Sequence, residues 1–184
     1  TANKGNEYID YYFLYDLKMT YQVRGDITAN GQGIIFIMTL LFGYALGSMT
    51  DRLKPLRVIP YLFMMRALVL LVAFYTVHDQ FTATVYTTAN QFVVVLFGIA
   101  AGAATVELFP MEKIGQFCSA QSFFFQTLLL PVYPFLIAPF FDRIKYNRFG
   151  FIWGAFFNCL AGFVAIKVYY NWKRKRRLEA AAAA

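Results

Sequence analysis

Gly47-Ser48-Met49-Thr50-Asp51-Arg52-Leu53-Lys54-Pro55-Leu56-Arg57 interrupts an otherwise apolar chain. It ends one apolar segment and opens the next across a short basic loop. Asp51 and Arg52 stand at the edge of that segment, where a charged pair is costly without partners, so the stretch reads as a gate or a joint. Working outward, five apolar blocks occur at about 29–49, 58–77, 83–107, 117–138 and 149–170, each meeting the ~20 residues a helix needs to cross the hydrocarbon core. The blocks are continuous rather than alternating, which argues for helices and against barrel strands. The links at 51–57, 78–82, 108–116 and 140–148 are short and favour antiparallel neighbours in one bundle. The expected fold is an all-α membrane protein with five full transmembrane helices and a partial first one, a single bundle over 1–175. The partial helix is the aromatic stretch 8–17. It is too short to span, and it reads either as an interfacial helix or as the outer half of a longer span. Residues 18–30 read as a polar loop.

Composition agrees. The 184 residues are 59% hydrophobic and 15% charged, against about 25% charged in a soluble domain. The net charge of +7 would suggest nucleic acid in a soluble chain. Here much of the charge sits at segment ends and in the tail Lys173-Arg174-Lys175-Arg176-Arg177, which fits a lipid surface better and argues against a nucleic-acid partner. Residues 173–184 read as a basic cytoplasmic tail followed by an uninterpretable alanine run. Cys118 and Cys159 fit neither a metal spacing nor a disulfide framework, and His78 cannot build a metal site alone. With no Gly-rich phosphate loop, ligand cluster or nucleophile–His pair, no enzyme, metal or cofactor is expected. The chain begins at Thr1 without a methionine, which leaves room for an upstream portion. Arg52, Lys54, Arg57, Lys113 and the tail place nine basic residues on one side, against four on the other, Arg24, Arg143, Lys145 and Arg148. The first side, with the C-terminus, is expected to be cytoplasmic. Trp153 and Trp172 then mark the two interfaces.

Three Gly-x-x-x-Gly spacings, Gly43/Gly47, Gly98/Gly102 and Gly150/Gly154, are expected to let helices approach closely within the bundle, with dimerisation or a sliding contact as the other readings.

A second stretch, Glu107-Leu108-Phe109-Pro110-Met111-Glu112-Lys113-Ile114-Gly115-Gln116, joins the third and fourth full spans. With the Gly-x-x-x-Asp-Arg run at 47–52 it resembles the loop motifs of the major facilitator superfamily. The first loop departs from the family pattern, which usually carries a Gly and further basic residues after the Asp-Arg. The resemblance covers about residues 7–175, its motifs only some twenty of them, and the Phe117-Cys118-Ser119-Ala120-Gln121 run looks nearest to bacterial sugar-type transporters such as the glycoside–pentoside–hexuronide symporters. It implies that the five spans are helices eight to twelve of such a carrier, its C-terminal half, in a bacterial inner (plasma) membrane.

The resemblance also implies roles. Asp51 would meet the amino end of the helix opening near Gln116, where free amides and the helix dipole favour an anion. Arg52 or Arg57 would pair with Glu107. With Gly47 these residues would form a cytoplasmic latch that closes in one state and opens in the other; a static surface network is the plainer reading. Substrate contacts would come from Asp10, Tyr11, Asn90, Gln91, Gln121 and Gln126, amides and carboxylates suited to sugar hydroxyls, although amides within spans often only tie helices together. Arg66 reads either as an anion contact or, since helix nine packs outside the cavity in the family, as a snorkelling or helix-pairing residue. Pro131, Pro134 and Pro139 would kink their span. The expected function is a secondary active transporter, a symporter for a small polar, sugar-like solute, rocking about a midplane site. One bundle forms one wall of such a pathway, so a missing N-terminal half, a second copy or other membrane subunits are expected partners. The alternative is a transporter-derived, non-transporting accessory subunit of a larger membrane complex.

Overall fold

The computed structural model describes residues 7–124 and 147–182. Among the described residues every regular element is helical and no strand occurs. Helix α1 (Glu7–Tyr11) runs into a π-helical turn, Tyr12–Asp16. Then come α2 (Tyr21–Leu53), α3 (Pro55–Thr76), α4 (Gln80–Leu108), a 3-10 turn (Met111–Lys113), α5 (Ile114–Phe123) and α6 (Phe149–Ala182). Three stretches are long and apolar enough to cross a membrane: Pro55–Thr76, Gln80–Leu108 and Phe149–Leu178. They contain the predicted spans 58–77 (bar its last residue), 83–107 and 149–170. The predicted span 29–49 lies within α2, and that at 117–138 is described only as far as α5 and Phe124.

One expectation needs correction. Residues 18–30 are not a polar loop, because α2 begins at Tyr21. The Val23 backbone N–H donates to the Thr20 hydroxyl at the helix entry, Ile27 is buried, and Arg24 is held by an acid on α1. Gln22, Asp26 and Asn30 lie on the exposed face of that extension, where polar residues do not oppose helix formation. The basic stretch 173–177 continues α6, which runs through Ala182, with the Arg176 guanidinium 5.4 Å over the Trp172 ring.

Local chemistry sets the breaks. Lys18 and Lys54 are the described non-glycine residues in the left-handed region, with φ of 51° and 64°, and each marks a sharp change of direction. Lys54 alone separates α2 from α3, and Pro55, whose φ is preset for a helix, opens α3. Asp79 caps α4: the Thr82 backbone N–H donates to its carboxylate at 2.8 Å while the Thr82 hydroxyl accepts from the Asp79 N–H. The Thr82 backbone N–H, together with the Thr82 hydroxyl that donates to the same carboxylate at 2.9 Å, holds the Asp79 carboxyl below the usual carboxylate range. The chain leaves α4 at Phe109 in extended conformation, as the residue before Pro110 must.

The long helices pack in the order α6, α3, α4, α2, so α2 lies chiefly against α4 rather than against its sequence neighbour α3. Glycines set the close approaches, though mostly not those of the Gly-x-x-x-Gly spacings. A Cβ on Gly154 would stand 3.2 Å from Leu70 Cδ1, and one on Gly162 would stand 3.0 Å from Met64 Cε, both at the α3–α6 contact. Gly31 of α2 faces Thr87 and Thr88 of α4 at 3.5 and 3.6 Å. Gly150 is buried. Gly47, Gly98 and Gly102 meet nothing within 4 Å, and Gly43 meets only Thr39 of its own helix. The core collects at one end, around Tyr12, Phe13, Val77, Tyr86 and Phe151. Tyr86 packs edge-on to Phe151 and Phe13 with centroids 5.1 and 6.3 Å apart, and the buried Tyr12 hydroxyl donates to the Val77 carbonyl at 2.8 Å. Elsewhere large apolar side chains point outward: Leu40, Leu41 and Tyr44 on α2 are 70%, 70% and 93% exposed.

Candidate functional site

The polar groups of the bundle gather along α3 and α4 and beneath α1. The π-turn buries Tyr12 and Phe13 and so fixes α1 across the end of the bundle, presenting Asp10 to α2. There Arg24 donates to the Asp10 carboxylate in a partly buried ion pair. Tyr11, beside it in sequence, is 46% exposed and stacks on Tyr15 at 5.7 Å. Asp16 accepts from the Asn147 amide at 3.5 Å.

Halfway along α3, Arg66 Nε donates to Asn90 Oδ1 on α4 at 3.2 Å. Asn90 is 2% exposed, the buried polar residue of the described core, and Gln91 next to it is half-buried. One helical turn before Asn90, Tyr86 is 6% exposed. Its hydroxyl has no hydrogen-bond partner among the described residues, and it lies within electrostatic reach of Arg66 and Asp10. Of the substrate candidates, Asn90 lies one helical turn from Tyr86 on α4 and Asp10 is paired with Arg24. Gln121 lies on α5, away from these groups in the chain, and Gln126 falls outside the described residues, as do Pro131, Pro134 and Pro139.

The opposite end carries the loop motifs. Asp51 and Arg52 lie in the last turn of α2, with Gly47 one turn earlier. Arg52 and Arg57 are exposed. Glu107, near the end of α4, encloses one carboxylate oxygen that has no hydrogen-bond partner among the described residues. It shares a shallow depression with Lys54, Pro55, Ala103 and Val106. The two motif loops therefore come together at one end. The basic residue sharing the Glu107 depression is Lys54; no ion pair from Arg52 or Arg57 to Glu107 occurs among the described residues.

Sequence reasoning missed three participants. Arg24 was assigned to a loop. Tyr86 was passed over as one aromatic among many. Arg148 gathers the far end: its guanidinium lies 5.2 Å over Phe74 and 5.8 Å over Tyr12, and its Nη2 is 3.4 Å from the His78 ring. One signal could have paired Arg66 with Asn90. They are 24 residues apart and so stand symmetrically about His78, at the turn between two antiparallel helices.

Chemically the α3–α4 contact brings a guanidinium and an amide together, with a buried phenol one helical turn along α4. The chain matches no family model, no curated protein and no solved structure.

Proposed function

We propose that this chain is the C-terminal half of a secondary active transporter for a small polar, sugar-like solute, lying in a bacterial inner membrane with its C-terminus in the cytoplasm. The observation that carries the reading is the Arg66–Asn90 pair at mid-length of two apolar helices, because an ionisable group at that depth is expensive and is kept for function. On this reading α2 and the segment beginning at α5 complete a set of five spans. The ends bearing Arg52, Lys54, Arg57 and the basic part of α6 face the cytoplasm. Asp51, against the amino end of the helix opening near Gln116, and Glu107, paired with Arg52 or Arg57, form the latch, and the depression lined by both Lys54 and Glu107 supports the nearness of the two motif loops. Alternating access needs two bundles about a midplane site, so a second bundle, in an N-terminal half, a second copy or another subunit, completes the pathway.

The bare face of α2 favours a second reading, a non-transporting accessory subunit. Leu40, Leu41 and Tyr44 point outward and Gly47 leaves open space, a surface suited to a partner helix.

The two are separated by uptake of labelled mono- and disaccharides into cells expressing the protein. A transporter gives saturable uptake that Asp51→Asn abolishes while membrane abundance holds. An accessory subunit gives no uptake of its own, copurifies at fixed stoichiometry, and is indifferent to Asp51→Asn.

A further inference from the structure

Arg66 presents an unbalanced charge. It stands at the middle of the 22-residue α3, so its Cα is about 15 Å from either end by helix rise, and its side chain bonds across to α4. Its partner, the Asn90 amide oxygen, is neutral and occupies only Nε. The two Nη groups have no partner among the described residues. The chain offers little to neutralise it. Asp10 is committed to Arg24, Asp79 caps α4 at its first turn, and Asp51 and Glu107 lie at the far helix ends. From 125 to 146 the sequence holds one carboxylate, Asp142, next to Arg143.

Around this cation the neighbouring groups are donors. Tyr86 and Asn90, four residues apart, share a face of α4. The Tyr86 hydroxyl is buried and unpartnered among the described residues. Asn90 turns its oxygen to Arg66, which leaves its NH2 as a donor. A planar guanidinium fork with flanking O–H and N–H groups matches a carboxylate or phosphate and has nothing to offer a cation.

We propose that Arg66, Tyr86 and Asn90 form an anion-binding site at mid-depth of the bundle, taking the carboxylate or phosphate of its ligand. The source is either a small solute, which rests on the transport reading above, or the headgroup of an anionic lipid.

The test uses the purified full chain in nanodiscs of phosphatidylcholine, with and without added phosphatidylglycerol. Thermal unfolding is followed against glucuronate, galacturonate and inorganic phosphate, with glucose and galactose as neutral counterparts. A solute site gives saturable stabilisation by at least one anion. Its apparent affinity falls at least about tenfold in Arg66→Gln, recovers in part in Arg66→Lys, and falls several-fold in Tyr86→Phe. Stabilisation by phosphatidylglycerol alone, lost in Arg66→Gln, keeps the site and assigns the lipid. If Arg66→Gln does not fold, Tyr86→Phe carries the test, since it keeps the ring contacts with Phe13 and Phe151. Neutral sugars stabilising as well as the acids, with the variants indifferent, would overturn the anion site while leaving transport standing. No response to any anion or lipid would overturn it as well.

Discussion

Replacing Gly154 by leucine tests whether measured approach, rather than glycine spacing, sets helix packing in this bundle. A Cβ at Gly154 falls 3.2 Å from Leu70 Cδ1 and 3.7 Å from Cδ2, and Leu70 is 2% exposed, so it has nowhere to turn. Leucine adds three further carbons along that line and must push α6 from α3. Overpacking of this kind costs about 1–3 kcal/mol, and with a buried neighbour the upper end applies, about 150-fold in the folding equilibrium. For a chain of this size that is a fall in unfolding midpoint of about 6–12 °C. The matched variant is Gly98→Leu, where nothing lies within 4 Å and the change should stay within about 0.5 kcal/mol. Helical circular dichroism through a thermal ramp, and through an SDS titration, reads both. Equal loss in the two variants would refute the reasoning and restore the Gly98/Gly102 spacing as a contact. A neutral Gly154→Leu would refute the α3–α6 packing itself.

Three further outcomes follow from the geometry. Tyr12→Phe leaves the Val77 carbonyl without its buried donor and should cost about 1–2 kcal/mol in the same titration. Asp10→Asn and Arg24→Gln should each cost about 1 kcal/mol, because the pair is partly exposed, and a double-mutant cycle should show that the two losses are shared rather than additive. Asp79→Ala should raise hydrogen exchange at the first turn of α4 at neutral pH. Its carboxyl is held below its ordinary value, so its contribution is full above that ordinary value, about pH 4, and is lost as pH falls through the depressed one. The gap between wild type and variant should therefore close in acid.

The helical class and the positions of α3, α4 and α6 were legible because runs long and apolar enough to cross a membrane stand out in a single sequence. The ends of α2 and α6 were not, because a helix does not stop where hydrophobicity does. Arg24, Asp26 and Asn30 lower the mean hydropathy yet sit on a helix held by Ile27 inside and by Asp10 outside. Gly98 and Gly102 had the right spacing on the wrong face, since spacing specifies a stripe but not the neighbour it meets. Gly162, which does meet a neighbour, belongs to no such pair. Asp10 and Asn90 could be singled out as polar groups in apolar surroundings. Their partners Arg24 and Arg66 depended on which helices lie side by side, and composition does not carry that. That Lys54 and Glu107 line one depression needed the same information.

The single-residue junction at Lys54 has a mechanical consequence. Two helices of 33 and 22 residues diverge from that one left-handed residue, and α2 leans on α4 rather than on α3. Helix α2 is therefore a lever about 50 Å long with its fulcrum at Lys54. A swing of about 10° there moves the far end of the lever by about 9 Å, and that far end is fastened to α1 through Arg24 and Asp10. Any rotation at the basic end would therefore be magnified at the other, where it would have to break the Arg24–Asp10 pair and the packing of Gly31 on Thr87 and Thr88.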